Sequence, residues 1–141
     1  MAISCNFNSF KKALIYLSIA LILTSCNHKK NDDYQDSAKV IGEEIEEIIL
    51  KNNFVKARNV LKTYIKNDPS SCKFNYLNAI SYLREGLQTG EYKLIDMARV
   101  GFNIVKKSCP NNFWPYYYHG IISYKSGDYN VAAENFIKAF Q

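Results

Sequence analysis

The sequence predicts an all-α chain built from three consecutive helix pairs. Three observations predict it. From Ser37 onward apolar residues recur at helical spacing, and no stretch alternates as a strand would. The runs are short and are punctuated by Asn, Gly and Pro. The second run of each pair also repeats one pattern. Ala57, Leu61 and Tyr64 stand 12, 8 and 5 residues before Pro69, and Ala98, Phe102 and Val105 stand at the same distances before Pro110. Ala132, Phe136 and Ala139 keep the same mutual spacing.

Taken in order, Met1–Lys12 is polar and ends in Lys11 and Lys12, and Ala13–Leu23 is an apolar run of eleven residues. A spanning helix needs about 17–25 apolar residues and a signal core about 7–15, so the length favours a signal. Leu23-Thr24-Ser25-Cys26 closes the run. Asn27–Asp36 is polar without periodicity and reads as a tether. Ten such residues reach at most about 35 Å extended and roughly 17 Å as a coil.

Ser37 is an N-cap candidate. Val40, Ile41, Ile45, Ile48 and Ile49 form the apolar face of a first helix, with Glu43, Glu44, Glu46 and Glu47 opposite, and Lys51-Asn52-Asn53 ends it. Phe54, Ala57, Leu61, Tyr64 and Ile65 define a second, stopped by Asn67-Asp68-Pro69. Phe74, Leu77, Ile80, Tyr82, Leu83 and Leu87 define a third, up to Thr89-Gly90. Ile95, Ala98, Phe102 and Val105 define a fourth, from about Tyr92 to Lys107, stopped by Cys109-Pro110. Phe113–Lys125 forms a fifth, with Pro115 tolerated in its first turn. Ser126-Gly127-Asp128 turns the chain into a sixth, Tyr129–Phe140.

Leu23-Thr24-Ser25-Cys26 resembles the lipobox of bacterial lipoproteins. The resemblance implies that residues 1–25 are a removed signal peptide. Cys26 would then be the lipidated new N-terminus, carrying palmitate-type acyl chains, and 26–36 the lipidated cysteine and its tether. The alternative is an uncleaved N-terminal anchor. Asn27 stands where the enterobacterial sorting rule places aspartate in proteins kept at the inner membrane. In a diderm host obeying that rule, the resemblance implies the periplasmic face of the outer membrane.

Gly120, Gly127-Asp128-Tyr129, Ala132, Phe136 and Ala139 fall where the tetratricopeptide (TPR) repeat has its small, turn, small, bulky and small residues. The resemblance implies that 37–141 is a TPR-like domain, a short right-handed α-solenoid with units 38–71, 72–112 and 113–141. The second unit is 41 residues against 34 for the first. Its seven extra residues are expected around Leu87–Lys93, in its inter-helix turn. The competing architecture is a generic helical bundle.

TPR arrays bind partners on a concave face lined by the first helix of each pair. Carried over by position, that groove would take Lys73, Tyr76, Ile80 and Arg84 from the second unit and Trp114, Tyr117, Tyr118, Ile121, Tyr124 and Lys125 from the third. An aromatic groove edged by cations suits a peptide or helix. The bland reading is that these rings pack between helices, as is expected of Tyr116. The first unit offers Lys39, Gly42, Glu46 and Ile49, an acidic and poorly aromatic end. Gly42, Tyr76 and Tyr117 stand where some chaperone-binding TPR proteins have a carboxylate-clamp lysine, which disfavours that function.

In the last helix, Asn130, Glu134, Lys138 and Gln141, with Asn135 at the edge, form a narrow polar stripe. The flank around Ala133, Ile137 and Phe140 is expected either to dock a partner or a second copy of the chain, or to leave only scattered apolar atoms exposed. Longer TPR arrays cover that flank with a further helix or a capping helix.

Of the four cysteines, the lipobox resemblance implies that Cys5 would leave with the signal and Cys26 would carry the lipid, so Cys72 and Cys109 would remain. They flank the second pair at one end of an antiparallel hairpin and are either a disulfide, in an oxidising compartment, or two buried thiols. Removal of Lys11 and Lys12 leaves 16 basic against 13 acidic residues, too even and interspersed for nucleic acid. No Cys/His cluster has metal spacing, no glycine loop precedes a helix in phosphate-binding fashion, and His119 falls at a packing position. No enzyme activity, cofactor or metal is expected. The expected function is a membrane-anchored scaffold for a pilus, secretion or outer-membrane assembly system. The alternatives are a regulator of a cell-wall enzyme and a mobile-element exclusion or immunity lipoprotein.

Overall fold

A computed structural model describes residues 37–141. The signal segment, Cys26 and the tether lie outside the described residues. Those described form six helices and no strand: α1 (37–50), α2 (Phe54–Asn67), α3 (Cys72–Thr89), α4 (Tyr92–Ser108), α5 (Phe113–Lys125) and α6 (Tyr129–Ala139). Ile41–Gln141 pack as one unit. No helix among the described residues is long and apolar enough to cross a membrane.

From α2 onward each helix runs antiparallel to the next. Tyr64 meets Phe74 at one end of α2 and α3, their ring centroids 5.1 Å apart, while Arg58 pairs with Glu85 toward the other. In α3 and α4, Cys72 joins Cys109 at one end and Gly86 lies against Ile95 at the other. Phe113 meets Phe140 and Tyr124 meets Tyr129 at the two ends of α5 and α6.

The connections are of two kinds, and they alternate. Within each pair the chain turns through a left-handed residue: Asn52 (φ 60°), Gly90 (φ 76°) and Gly127 (φ 83°). After α1, the N–H of Asn53 donates to the Ile48 carbonyl and that of Asn52 to the Ile49 carbonyl. After α5, Asp128 donates to Ser123 and Gly127 to Tyr124 in the same relation, so both helices end in a Schellman motif. Between pairs the stop is a proline. Asp68 and Cys109, each just before proline, are held extended at φ near −136° and −140°. Each then repeats one bonding pattern: Asp68 to Tyr64 and Ser71 to Asp68, Cys109 to Val105 and Asn112 to Cys109.

The seven extra residues of the second unit do not form a looser turn, as the sequence led us to expect. Only Gly90 and Glu91 separate α3 from α4. The surplus lengthens both helices, to 18 and 17 residues against 13 and 11 for α5 and α6. Helix extension satisfies the added backbone groups internally, which a loop would leave to solvent.

The spaced small and bulky residues make the core. Ala57, Leu61, Ala98, Phe102, Val105, Ala132 and Ala139 are buried, while Tyr64 and Phe136 are half-buried. Helices approach closely where a side chain is missing: a Cβ on Gly101 would sit 2.8 Å from that of Ala79, and one on Gly120 2.7 Å from the Phe136 ring. Asn135, placed at the edge of the polar stripe from sequence, is instead buried. Its amide donates to the Val131 carbonyl and its oxygen accepts from Lys106 Nζ at 3.1 Å, so helical periodicity alone misjudged it.

Between α2 and α3, Arg58 pairs with Glu85 and lies 4.4 Å above the Tyr82 ring, both charged side chains largely shielded. Glu85→Ala is expected to cost about 2 kcal/mol, because it strands a desolvated guanidinium. Joint replacement by Arg58→Met and Glu85→Leu is expected to cost less in the same urea titration. A double variant as weak as the single one would contradict this.

Candidate partner-binding cleft

One cleft of about 520 Å³ opens on the face made by α1, α3 and α5, the first helix of each pair. Glu46, Ile49 and Leu50 come from α1. Cys72, Lys73, Tyr76, Leu77, Ile80 and Arg84 come from α3, and Trp114 and Tyr118 from α5, with Asn112 before it. No residue of α2, α4 or α6 lines it.

Local sequence explains this wall. Asn112 caps α5, its Oδ1 accepting from the Trp114 N–H at 3.1 Å, which fixes the first turn and sets Trp114 at the rim. Three rings then stack inward nearly parallel. Trp114 lies 5.9 Å from Tyr118 at 24°, and Tyr118 lies 5.6 Å from Phe102 at 11°. The stack runs from a half-exposed indole to a ring with no exposure, so the wall is continuous with the core. Tyr76 crosses its flank, 6.3 Å from both Phe102 and Tyr118. Burial, reinforced by the Tyr118 hydroxyl, raises the Tyr76 phenol far above its ordinary range.

The charges are arranged unevenly. Lys73 Nζ pairs with Glu46 at the α1 side, and Gly42 leaves room there for the lysine stem. Arg84 makes no ion pair among the described residues, unlike Arg58 and Arg99, which pair with Glu85 and Asp96. An apolar floor with one uncompensated guanidinium fits an apolar segment that brings a carboxylate.

Of the groove residues expected from sequence, Lys73, Tyr76, Ile80, Arg84, Trp114 and Tyr118 line this cleft. Tyr117, Ile121, Tyr124 and Lys125 do not. Tyr117 stacks on Phe113 at 5.5 Å and meets Phe136 on α6 at 6.1 Å, which turns it away. Tyr124 packs edge-on against Tyr129 at the far turn. Ile121 is half-buried, and Lys125 is exposed at the end of α5. Leu50, Cys72, Leu77 and Asn112 line the cleft and were missed as groove residues, Leu77 having been read as core and Cys72 as a disulfide candidate. Asn112 carried a signal, a capping residue ahead of an aromatic run; Leu50 carried none. Ala133, Ile137 and Phe140 are all exposed, with Phe140 edge-on to Phe113.

His119 offers no base to this cleft. It is 8% exposed on the α5 side facing α4 and α6, with both ring nitrogens lacking a hydrogen-bond partner. Burial, then the charges of Lys106 and Arg99, depress its pKa to about 4. The unfolded chain therefore binds a proton that the folded one refuses between about pH 6.5 and 4. Stability is expected to fall by about 2–3 kcal/mol across that window as pH drops, and His119→Leu should flatten the dependence of Tm on pH there. Parallel profiles for the two proteins would overturn this. Among the described residues no group of three or more His, Cys, Asp or Glu could hold a metal.

No family model matches the chain, and no curated protein matches its sequence.

Proposed function

We propose that the chain is a lipid-anchored scaffold whose helices form a short TPR-like solenoid. Its cleft would hold a peptide or helix of an assembly in the cell envelope. The observation that carries this reading is the cleft itself, lined by the first helix of each pair and the Asn112 cap, and bearing Arg84 with no ion pair among the described residues. The alternation of left-handed and proline connections supports the repeat, since all three pairs turn through a left-handed residue and both junctions between pairs carry a proline. The lipobox-like Leu23-Thr24-Ser25-Cys26 supports the anchor, and Asn27 after it supports the outer membrane in a diderm host that follows the sorting rule. The reading assigns the chain no chemical step.

A photo-crosslinker placed at Ile80 or Tyr118 in cells is expected to capture one envelope protein, and Arg84→Glu to abolish that capture without lowering the Tm. Capture of nothing but the chain's own copies, or capture indifferent to Arg84, would overturn the cleft reading. Cys26→Ser is expected to release the protein from membranes with its Tm unchanged, and retention in the membrane fraction would overturn the anchor.

A further inference from the structure

Three cations of α2 share one face. Arg58, Lys62 and Lys66 stand at every fourth position, which aligns them over about 12 Å of helix. The helix contains no acid, and α3, packed against it, contains only Glu85. Like charges four positions apart on a helix repel and weaken it. Elsewhere the chain sets an acid within reach of a cation on the same helix, as with Glu47 and Lys51 or Asp96 and Arg99. The macrodipole accounts for Lys66 in the last turn of α2. It does not account for Lys62, which lies more than a turn from the end.

The same three cations line one pocket. A hollow of about 480 Å³ lies between α2 and α3, walled by Arg58, Asn59, Lys62 and Lys66 on one side and by Asn78 and Tyr82 on the other. It shares no lining residue with the cleft, and no acid lines it. Arg58 is held by Glu85 and by the Tyr82 ring 4.4 Å away, yet its Nη1 is buried with no hydrogen-bond partner. The ammonium groups of Lys62 and Lys66 and the amides of Asn59 and Asn78 make no ion pair or side-chain hydrogen bond among the described residues. Asp68, two positions after Lys66, accepts from the N–H and hydroxyl of Ser70 instead. The pocket wall is rich in unused donors and holds no negative charge to meet them.

We propose that this pocket binds a phosphate-bearing ligand. Lys62 and Lys66, one turn apart, neutralise its charge, and the Asn59 and Asn78 amides donate to its oxygens. A carboxylate offers two acceptor oxygens, and Arg58 already faces one such group in Glu85. A phosphate group offers three and up to two charges, which matches two point-charge ammonium groups with amide donors beside them. The volume lies in the range of small-molecule sites and leaves room for the group that bears the phosphate. A soluble molecule with linked phosphates and a phospholipid head group are two sources of this one chemistry. Binding here depends on neither the cleft nor the anchor.

The full chain is titrated calorimetrically at low ionic strength with three probes. Inorganic pyrophosphate is the soluble phosphate, dihexanoyl phosphatidic acid below its micelle concentration is the head group, and citrate is a carboxylate of comparable charge. Saturable binding of a phosphate probe is expected, weakened about tenfold by Lys62→Gln and again by Lys66→Gln, each removing one charge-assisted hydrogen bond. Both lysines are exposed, so neither change should lower the Tm. Lys93→Gln with Lys107→Gln removes the same charge from exposed positions of α4 and should leave binding unchanged. Pyrophosphate bound as tightly as phosphatidic acid supports the site and assigns it to soluble phosphates, whereas tighter phosphatidic acid supports it as a head-group site. Binding of neither probe overturns the inference. Binding that the α4 changes weaken equally also overturns it, because net charge alone would then explain the titration. Citrate bound as tightly as the phosphate probes overturns it by assigning the pocket to acidic protein segments.

Discussion

Phe102→Ala is expected to lower the free energy of unfolding by about 3–5 kcal/mol, the range for deleting a fully buried phenyl ring. Phe102 has no exposed surface and stands at the junction of the second and third helix pairs, with Tyr118 stacked on it and Tyr76 against its flank. The cavity would open directly beneath the cleft wall, because Tyr118 carries Trp114 in turn. Two readouts should therefore move together. The urea midpoint should fall with an unchanged slope, and Trp114 emission of the folded protein should shift as its support is lost. Phe102→Leu, which refills most of the volume, should cost less than about 1.5 kcal/mol and leave the emission near wild type. A loss below about 1 kcal/mol for the alanine variant would mean that α4 and α5 close over the gap, and the wall would not depend on this ring.

Reduction of the Cys72–Cys109 bond is the second large effect. The two Cα atoms are 6.2 Å apart, within bridging range, and the cysteines are 37 positions apart in sequence. Chain-entropy reasoning gives about 4 kcal/mol for a loop of that length, all of it acting on the unfolded ensemble. The bond closes the α3–α4 hairpin, whose two helices are the longest among the described residues and touch α2 and α5 on their outer sides. Urea unfolding with and without reductant should differ by that amount in the wild type and not at all in the Cys72→Ser, Cys109→Ser double variant. Peptide mapping of the unreduced protein should yield the two cysteines linked. Free alkylation of both would remove the premise.

Sequence and structure divide the explanation at a definite place. The number of described helices and most of their limits could be read from the chain, because helix periods, left-handed turn residues and prolines are local constraints; the surplus of the second unit, expected in a turn, lies in α3 and α4 instead. The prolines after Asp68 and Cys109 act on their immediate neighbours whatever the rest of the fold does. So do Asn52, Gly90 and Gly127, each placed where a helix must reverse. The buried identity of Ala57, Leu61, Ala98 and Phe102 was legible for the same reason, since a repeated spacing marks one face.

Side-chain direction at the cleft was not legible in that way. Tyr117 and Tyr118 are adjacent in sequence and chemically the same, yet one turns to Phe113 and Phe136 while the other stacks between Trp114 and Phe102. An angle of about 100° per residue separates them, and only the placement of α4 and α6 decides which ring faces the groove. The burial of Asn135 against Lys106 and the lack of an ion pair on Arg84 among the described residues also depend on neighbouring helices. The sequence by itself determined the helices, their pairing pattern and the residues with which they pack. Tertiary structure alone decided that six of the ten expected groove residues share one cleft, because a cleft is made between helices and no single helix contains it.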